Sequence, residues 1–138
     1  MQTYRTRLNK IEGANWRIVS KKAMNSYKEI KQWSKRRPYV RSAYFSKQKI
    51  FLGLFWHHLH EKTNLKDKTR RLKYFPCAID LIKNSRFEPT SKENPNRTNE
   101  ILHRFTGITA NNEIFIVQIK EVKSSGEKWL ISIFPQDK

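Results

Sequence analysis

The sequence predicts an α+β protein, with basic N-terminal helices packed on a C-terminal antiparallel β-meander of three or four strands. Two observations carry this. The last third, Glu100 to Pro135, alternates apolar and other residues at every second position, which marks half-buried strands. Upstream, apolar residues recur at three-and-four spacing within lysine- and arginine-rich segments, which marks helices with a wet face.

Residues Met1 to Glu12 show little periodicity; they are read as an edge or fraying segment, and no function is assigned to them. Asn25 to Arg36 is read as a helix capped by Asn25 or Ser26, with Tyr27, Ile30 and Trp33 on one face and mostly lysine on the other. Large rings at helical spacing are usually buried, so Trp16, Tyr27, Trp33, Tyr39, Tyr44 and Phe45 are read first as core. Their alternation with Lys and Arg also suits an RNA backbone with bases stacked on the rings.

Pro38 ends that helix, and Ser46 opens the next one, SKQKIFLGLFWHHLHEK. Ile50, Phe51, Leu54, Phe55 and His58 form its apolar stripe, and Gly53 suggests close packing against a neighbour. His57 and His60 are three apart and lack a completing ligand set, so a metal site is not assigned. His58 is the helix-borne histidine best suited to catalytic service beside the sheet.

Asn64 to Tyr74 reads as a short basic helix capped by Asn64 and anchored by Leu65 and Leu72. Pro76 sits where a first-turn proline is tolerated, and a further helix runs through Ile79, Leu81 and Ile82. Ser85 to Asn99, with Pro89 and Pro95, reads as a loop of the length that often carries function.

In the strands, Ile101, His103 and Phe105 share one face, while Leu102, Arg104, Thr106 and Ile108 share the other. Phe115, Val117 and Ile119 oppose Ile114, Ile116, Gln118 and Lys120. Trp129, Ile131 and Ile133 oppose Lys128, Leu130, Ser132 and Phe134. The breaks at residues 109–112 and 124–126 are turns by composition.

At 138 residues and 37% hydrophobic, the chain is long enough for one domain with a real core. That domain divides into a basic helical part (1–45), core helices (46–85) and an antiparallel sheet (100–135). The longest apolar run is too short to cross a bilayer and no secretory signal is visible, so a cytoplasmic protein without membrane contact is expected. The single cysteine, Cys77, excludes an intrachain disulfide and reads as a buried small hydrophobe.

The net charge of +17 is segregated. Met1 to Phe75 holds 20 Lys and Arg against 4 Asp and Glu, whereas Pro76 to Lys138 holds 9 against 8. A polyanion is the natural partner, nucleic acid before membrane. Arg36, Arg37, Arg41, Arg70, Arg71 and Lys73 are the candidate nucleic-acid contacts.

Helices followed by an antiparallel meander, with Leu102-His103-Arg104-Phe105 on its first strand, Gln118-Ile119-Lys120 on its second and Ile133-Phe134-Pro135 at its end, resemble a known nuclease superfamily. That superfamily gathers barnase, the EndoU endoribonucleases, tRNA-cutting colicin domains and RelE-type toxins (the BECR fold), and the resemblance is to its phage- and mobile-element-associated branch. It covers Lys73 to Pro135, about half the chain.

The resemblance implies RNA cleavage without metal or other cofactor, by attack of the 2′-hydroxyl on the adjacent phosphate. The reaction needs a base, an acid and cations at the phosphoryl oxygens. Carried onto this chain, His103 would be acid or base, Arg104 and Lys120 would hold the phosphate, and Thr106 and Ser132 would hydrogen-bond it. His103 and Arg104 are consecutive, so without a bulge they face opposite sides, and register decides which belongs to the site. Glu100, Glu113 and Glu121 are further carboxylate candidates. A toxin of this kind would be expected to meet an acidic inhibitor or antitoxin. The alternatives are a non-catalytic basic RNA- or DNA-binding protein and a ribosome- or partner-associated basic protein, because the charge asymmetry fits all three.

Overall fold

The computed structural model describes residues 2–34 and 36–136. In chain order they form β1 (Thr3–Arg5), α1 (Trp16–Trp33), β2 (Tyr39–Arg41), β3 (Lys49–Phe51), α2 (Gly53–Glu61), α3 (Leu65–Leu72), α4 (Phe75–Asn84), β4 (Thr90–Asn94), β5 (Arg97–Ile108), β6 (Ile114–Val122) and β7 (Lys128–Pro135).

The meander β5-β6-β7 forms as its alternation predicts, but it is the centre of a larger sheet. The expectation of a three- or four-stranded antiparallel meander is corrected to a seven-stranded mixed sheet of order β1-β5-β6-β7-β3-β2, with β4 paired to β5. β1 joins β5 in parallel, and β3 joins β7 in parallel. Neither helical part is therefore purely helical, since β1 and β2 lie within 1–45 and β3 within 46–85. These three-residue strands are too short to show alternation, and the partners that tie them into the sheet, β5 for β1 and β7 for β3, lie far away in sequence.

Three other expectations change. The stretch from Ser46 is not one helix: Ser46 and Lys47 turn the chain with φ of 55° and 66°, Lys49–Phe51 is strand, and the helix begins at Gly53. Ile50 and Phe55 thus reach the core from different elements, and His58 leaves it. Gly53 is not closely packed, because a Cβ there would meet nothing within 4 Å. The expected loop 85–99 contains β4, which pairs antiparallel with β5 around Pro95 and Asn96.

The helices follow their signals more closely. α1 starts earlier than predicted, where Asn15 Oδ1 accepts from the Arg17 N–H at 2.8 Å, and it buries Val19, Ala23 and Tyr27 at four-residue spacing. α3 is capped by Asn64 as expected, its Oδ1 accepting from the Asp67 N–H at 3.0 Å. Pro76 lies in the first turn of α4, and Cys77 is fully buried on it.

The helices cover one face of the sheet. Tyr27 stacks on Trp56, Phe55 on Phe75, and Tyr74 on Phe115, bringing α1, α2, α4 and β6 into one core. Sheet residues Phe105, Phe115, Val117, Ile119, Leu130 and Ile133 complete it. Burying rings of this size is the main source of stability, at about 25 cal/mol per Å² of apolar surface. The N-terminus is tied in as well: Tyr4 Oη and Thr6 Oγ1 both donate to Asp80 Oδ2 on α4, at 2.9 and 2.7 Å. Among the described residues no helix is long and apolar enough to cross a membrane.

Candidate nucleic-acid interface

The register of β5 and β6 runs unbroken from Glu100 opposite Val122 to Ile108 opposite Ile114. With no bulge between these strands, His103 and Arg104 do face opposite sides. His103 turns to the packed face, 7% exposed, while Arg104 stands exposed on the other.

A bulge does occur one strand further on. Gln118 pairs with Ser132, but Ile119 pairs with Leu130, so Ile131 is the extra residue. This overturns the simple alternation expected for the last strand. Leu130 and Ile133 both enter the core, whereas Trp129, Ser132 and Phe134 share the open face with Arg104, Gln118 and Lys120.

Two arginines converge there. Arg104 Nε donates to Gln118 Oε1 at 2.8 Å. From α3, Arg71 Nε donates to Asp67 Oδ2 at 3.0 Å, and its Nη1 donates to Ser132 Oγ at 3.2 Å. Both guanidinium groups lie beside the Phe134 ring, with their central carbons 5.5 Å (Arg71) and 5.8 Å (Arg104) from its centroid. Two oriented forks over one aromatic ring present N–H donors that a phosphate can share.

The same face continues as alternating rings and cations. Lys120 pairs across strands with Trp129, and its Nζ lies 3.5 Å from Glu100 Oε2. The Arg37 guanidinium carbon sits 4.0 Å from the Phe51 centroid and 5.5 Å from that of Trp129. On Tyr39 lie Lys49 Nζ at 4.7 Å and the Arg41 guanidinium at 5.5 Å. Thr106 is half-buried on this face opposite Ile116.

His58 is exposed on α2 and shares a shallow cleft of about 440 Å³ with Glu61, Lys62, Ile131 and Ser132. It therefore borders the Arg71–Ser132 pair. His57 Nε2 is 2.8 Å from Glu61 Oε1, and among the described residues no three His, Cys, Asp or Glu side chains gather as a metal-ligand set.

His103 has its own partners. Nδ1 lies 2.6 Å from Ser91 Oγ, Nε2 lies 2.8 Å from Glu121 Oε1, and the Phe45 ring packs edge-on at 5.0 Å. Glu121 can only accept when ionised, which fixes a proton on Nε2. The other candidate carboxylates are engaged as well: Glu100 with Lys120 and the Asn94 amide, Glu113 with Lys10.

The predicted contacts thus separate. Arg71, Arg104, Lys120, Thr106 and Ser132 share the open face, with His58 at its margin and His103 on the reverse. Arg37 and Arg41 extend that face towards β2, and Arg36 is exposed beside them. Arg70 is exposed on α3 with Asp67 3.9 Å away, and Lys73 caps α3 with its carbonyl accepting from the Ile11 N–H. Sequence reasoning missed Phe134 and Gln118 as site residues and the role of Asp67. Both sheet residues had a local signal: Gln118 is the polar member of an apolar strand, and alternation already put Phe134 on the Ser132 face, which the bulge at Ile131 leaves unchanged.

Compared with known proteins, the chain matches no family model, no curated protein and no solved structure.

Proposed function

We propose that this protein is an RNA endonuclease that binds single-stranded RNA across the open face of its sheet and cleaves it by 2′-hydroxyl attack. The observation that carries this reading is the convergence of Arg71, Arg104, Ser132 and Phe134 on one open face, bordered by His58. In the step, a base takes the 2′-hydroxyl proton, the 2′-oxygen bonds to phosphorus, and the P–O5′ bond breaks. The departing 5′-oxygen takes a proton, leaving a 2′,3′-cyclic phosphate and a 5′-hydroxyl. Arg71 and Arg104 neutralise the charge growing on the phosphoryl oxygens, and Ser132 and Gln118 hold those arginines in place. His58 serves proton transfer, and the base beside the cleaved bond stacks on Phe134. A phage or mobile-element toxin held by an acidic inhibitor is the biological setting consistent with this chemistry.

A specific observation favours a second reading, a non-catalytic RNA- or DNA-binding protein: the strand histidine nominated for proton transfer is on the packed face and fully partnered. Incubation with total RNA in excess chelator separates the two. The nuclease gives 5′-hydroxyl and cyclic-phosphate ends that disappear in Arg71→Ala and His58→Ala. Intact RNA with salt-sensitive binding favours the second.

A further inference from the structure

Beyond the open face, where Tyr39 ends it, the chain forms a cleft of about 1070 Å³ between the C-terminal ends of α1 and α4 and the β2–β3 hairpin. Its chemistry is one-sided. Arg41, Lys47, Lys83 and Arg86 line it, and among the described residues no carboxylate does. On its rim stands Trp33, 86% exposed: six residues beyond Tyr27, it lies about 120° round α1 from the buried Val19–Ala23–Tyr27 stripe, off the face the sequence spacing suggested. An indole left in water beside four cations has no packing role.

We infer that this cleft is a second docking site for single-stranded RNA, in which a base stacks on Trp33 and the flanking phosphates lie on Arg41, Lys47, Lys83 and Arg86. Charge complementarity favours a polyanion, and the exposed ring favours one that carries flat bases. Tyr39 belongs both to the cleft and to the open face, so one strand can run from Phe134 past Trp129 and Phe51 into the cleft. The site thus deepens the proposed function, setting how much RNA beyond the cleaved bond is gripped, and it rests on that reading only for the identity of the ligand as RNA.

The test uses fluorescein-labelled 2′-O-methyl oligoribonucleotides, which lack the attacking hydroxyl, at lengths of roughly 4 and roughly 12 nucleotides. Anisotropy is expected to show Trp33→Ala binding the longer oligomer about tenfold more weakly and the shorter one unchanged. Trp33→Phe keeps most of the affinity. The Lys83→Glu, Arg86→Glu double variant weakens the longer oligomer and flattens its salt dependence. If Trp33→Ala and the charge reversal both bind the longer oligomer as wild type does, the cleft is not an RNA site. If labelled poly-glutamate binds as tightly and with the same dependence on Trp33, the cleft serves an acidic polypeptide and the proposal falls. Cleavage of an unmodified dinucleotide, which cannot reach the cleft, is measured beside these. Dinucleotide cleavage together with longer-oligomer binding that is insensitive to Trp33→Ala and to the charge reversal overturns the cleft alone, whereas Trp33-dependent binding with no cleavage overturns the nuclease reading alone.

Discussion

Arg71 on α3 and Ser132 on β7 are joined by a hydrogen bond of 3.2 Å across 61 residues of sequence, and that contact carries a helix-borne guanidinium round to the open face of the sheet. Asp67, one helical turn earlier, holds the other side of the same guanidinium at 3.0 Å. The arginine is therefore aimed before any ligand arrives, which reduces the ordering cost of binding.

Replacing Arg71 by Ala is expected to weaken RNA binding about tenfold and to reduce the slope of log affinity against log salt by about 0.7. Arg71→Lys does not restore it, because an ammonium cannot contact Asp67, Ser132 and a phosphate as a planar fork does. Equilibrium binding at several salt concentrations checks both. Full affinity in Arg71→Lys would show that charge alone matters.

The two histidines separate stability from activity. His58→Ala, at an exposed position, leaves the melting temperature unchanged and lowers cleavage by about 10²-fold or more. His103→Ala strands Ser91 and Glu121 and lowers stability by about 1–3 kcal/mol, with cleavage per folded molecule kept. Denaturant melts beside single-turnover cleavage read both effects, and the reverse pattern would move proton transfer to His103.

Gly107 pairs across strands with Phe115, whose ring lies over it so closely that a Cβ on residue 107 would come within 2.3 Å of the Phe115 ring tip. Phe115 is itself fully buried and stacked on Tyr74, so it has nowhere to move. Gly107→Ala is expected to destabilise by about 1–3 kcal/mol, and pairing it with Phe115→Leu recovers part of that loss. A double-mutant cycle in denaturant shows whether the two changes couple.

Alkaline pH tests the N-terminal clamp. Burial, with Asp80 beside it, pushes the Tyr4 phenol up to about 12, and burial pushes the Cys77 thiol up to about 12. Each group keeps its proton longer in the folded than in the unfolded chain, so its contribution is complete below its ordinary value, near 9 for the thiol and 10 for the phenol. It is lost as pH rises towards 12. Stability is expected to fall over this window, less steeply in Tyr4→Phe. At neutral pH Cys77 should resist a thiol reagent until the protein unfolds. Rapid native-state labelling would contradict its burial.

The strand faces of β5 and β6 were legible in the sequence because alternation with period two is a local property. Phe105, Val117 and Ile119 are buried and Arg104 is exposed, as the alternation requires. The Asn64 cap and the first-turn Pro76 were legible for the same reason, since each acts within a few residues, whereas α1 ends at Trp33 with Ser34 as its cap, before the expected break at Pro38. The segregated charge was legible too, and it marked Arg37, Arg41 and Arg71, whereas Arg104 on the open face and Arg86 in the cleft come from the charge-balanced half.

Tertiary structure decided the rest. The bulge at Ile131 reverses which residues of the last strand face the core, and no local pattern announces it, because it depends on how β7 must bend to meet β6. The strands β1 and β3 are three residues long, and their parallel pairing joins them to β5 and β7, which are distant in sequence. Which histidine borders the site followed from the same cause: the chain from Ser46 turns into a strand before its helix begins, rotating His58 out of the core towards Ser132. Residue types and their periodicity determined the layers and the charge; long-range strand pairing, which sets register and closes the sheet edge, determined which side chains meet.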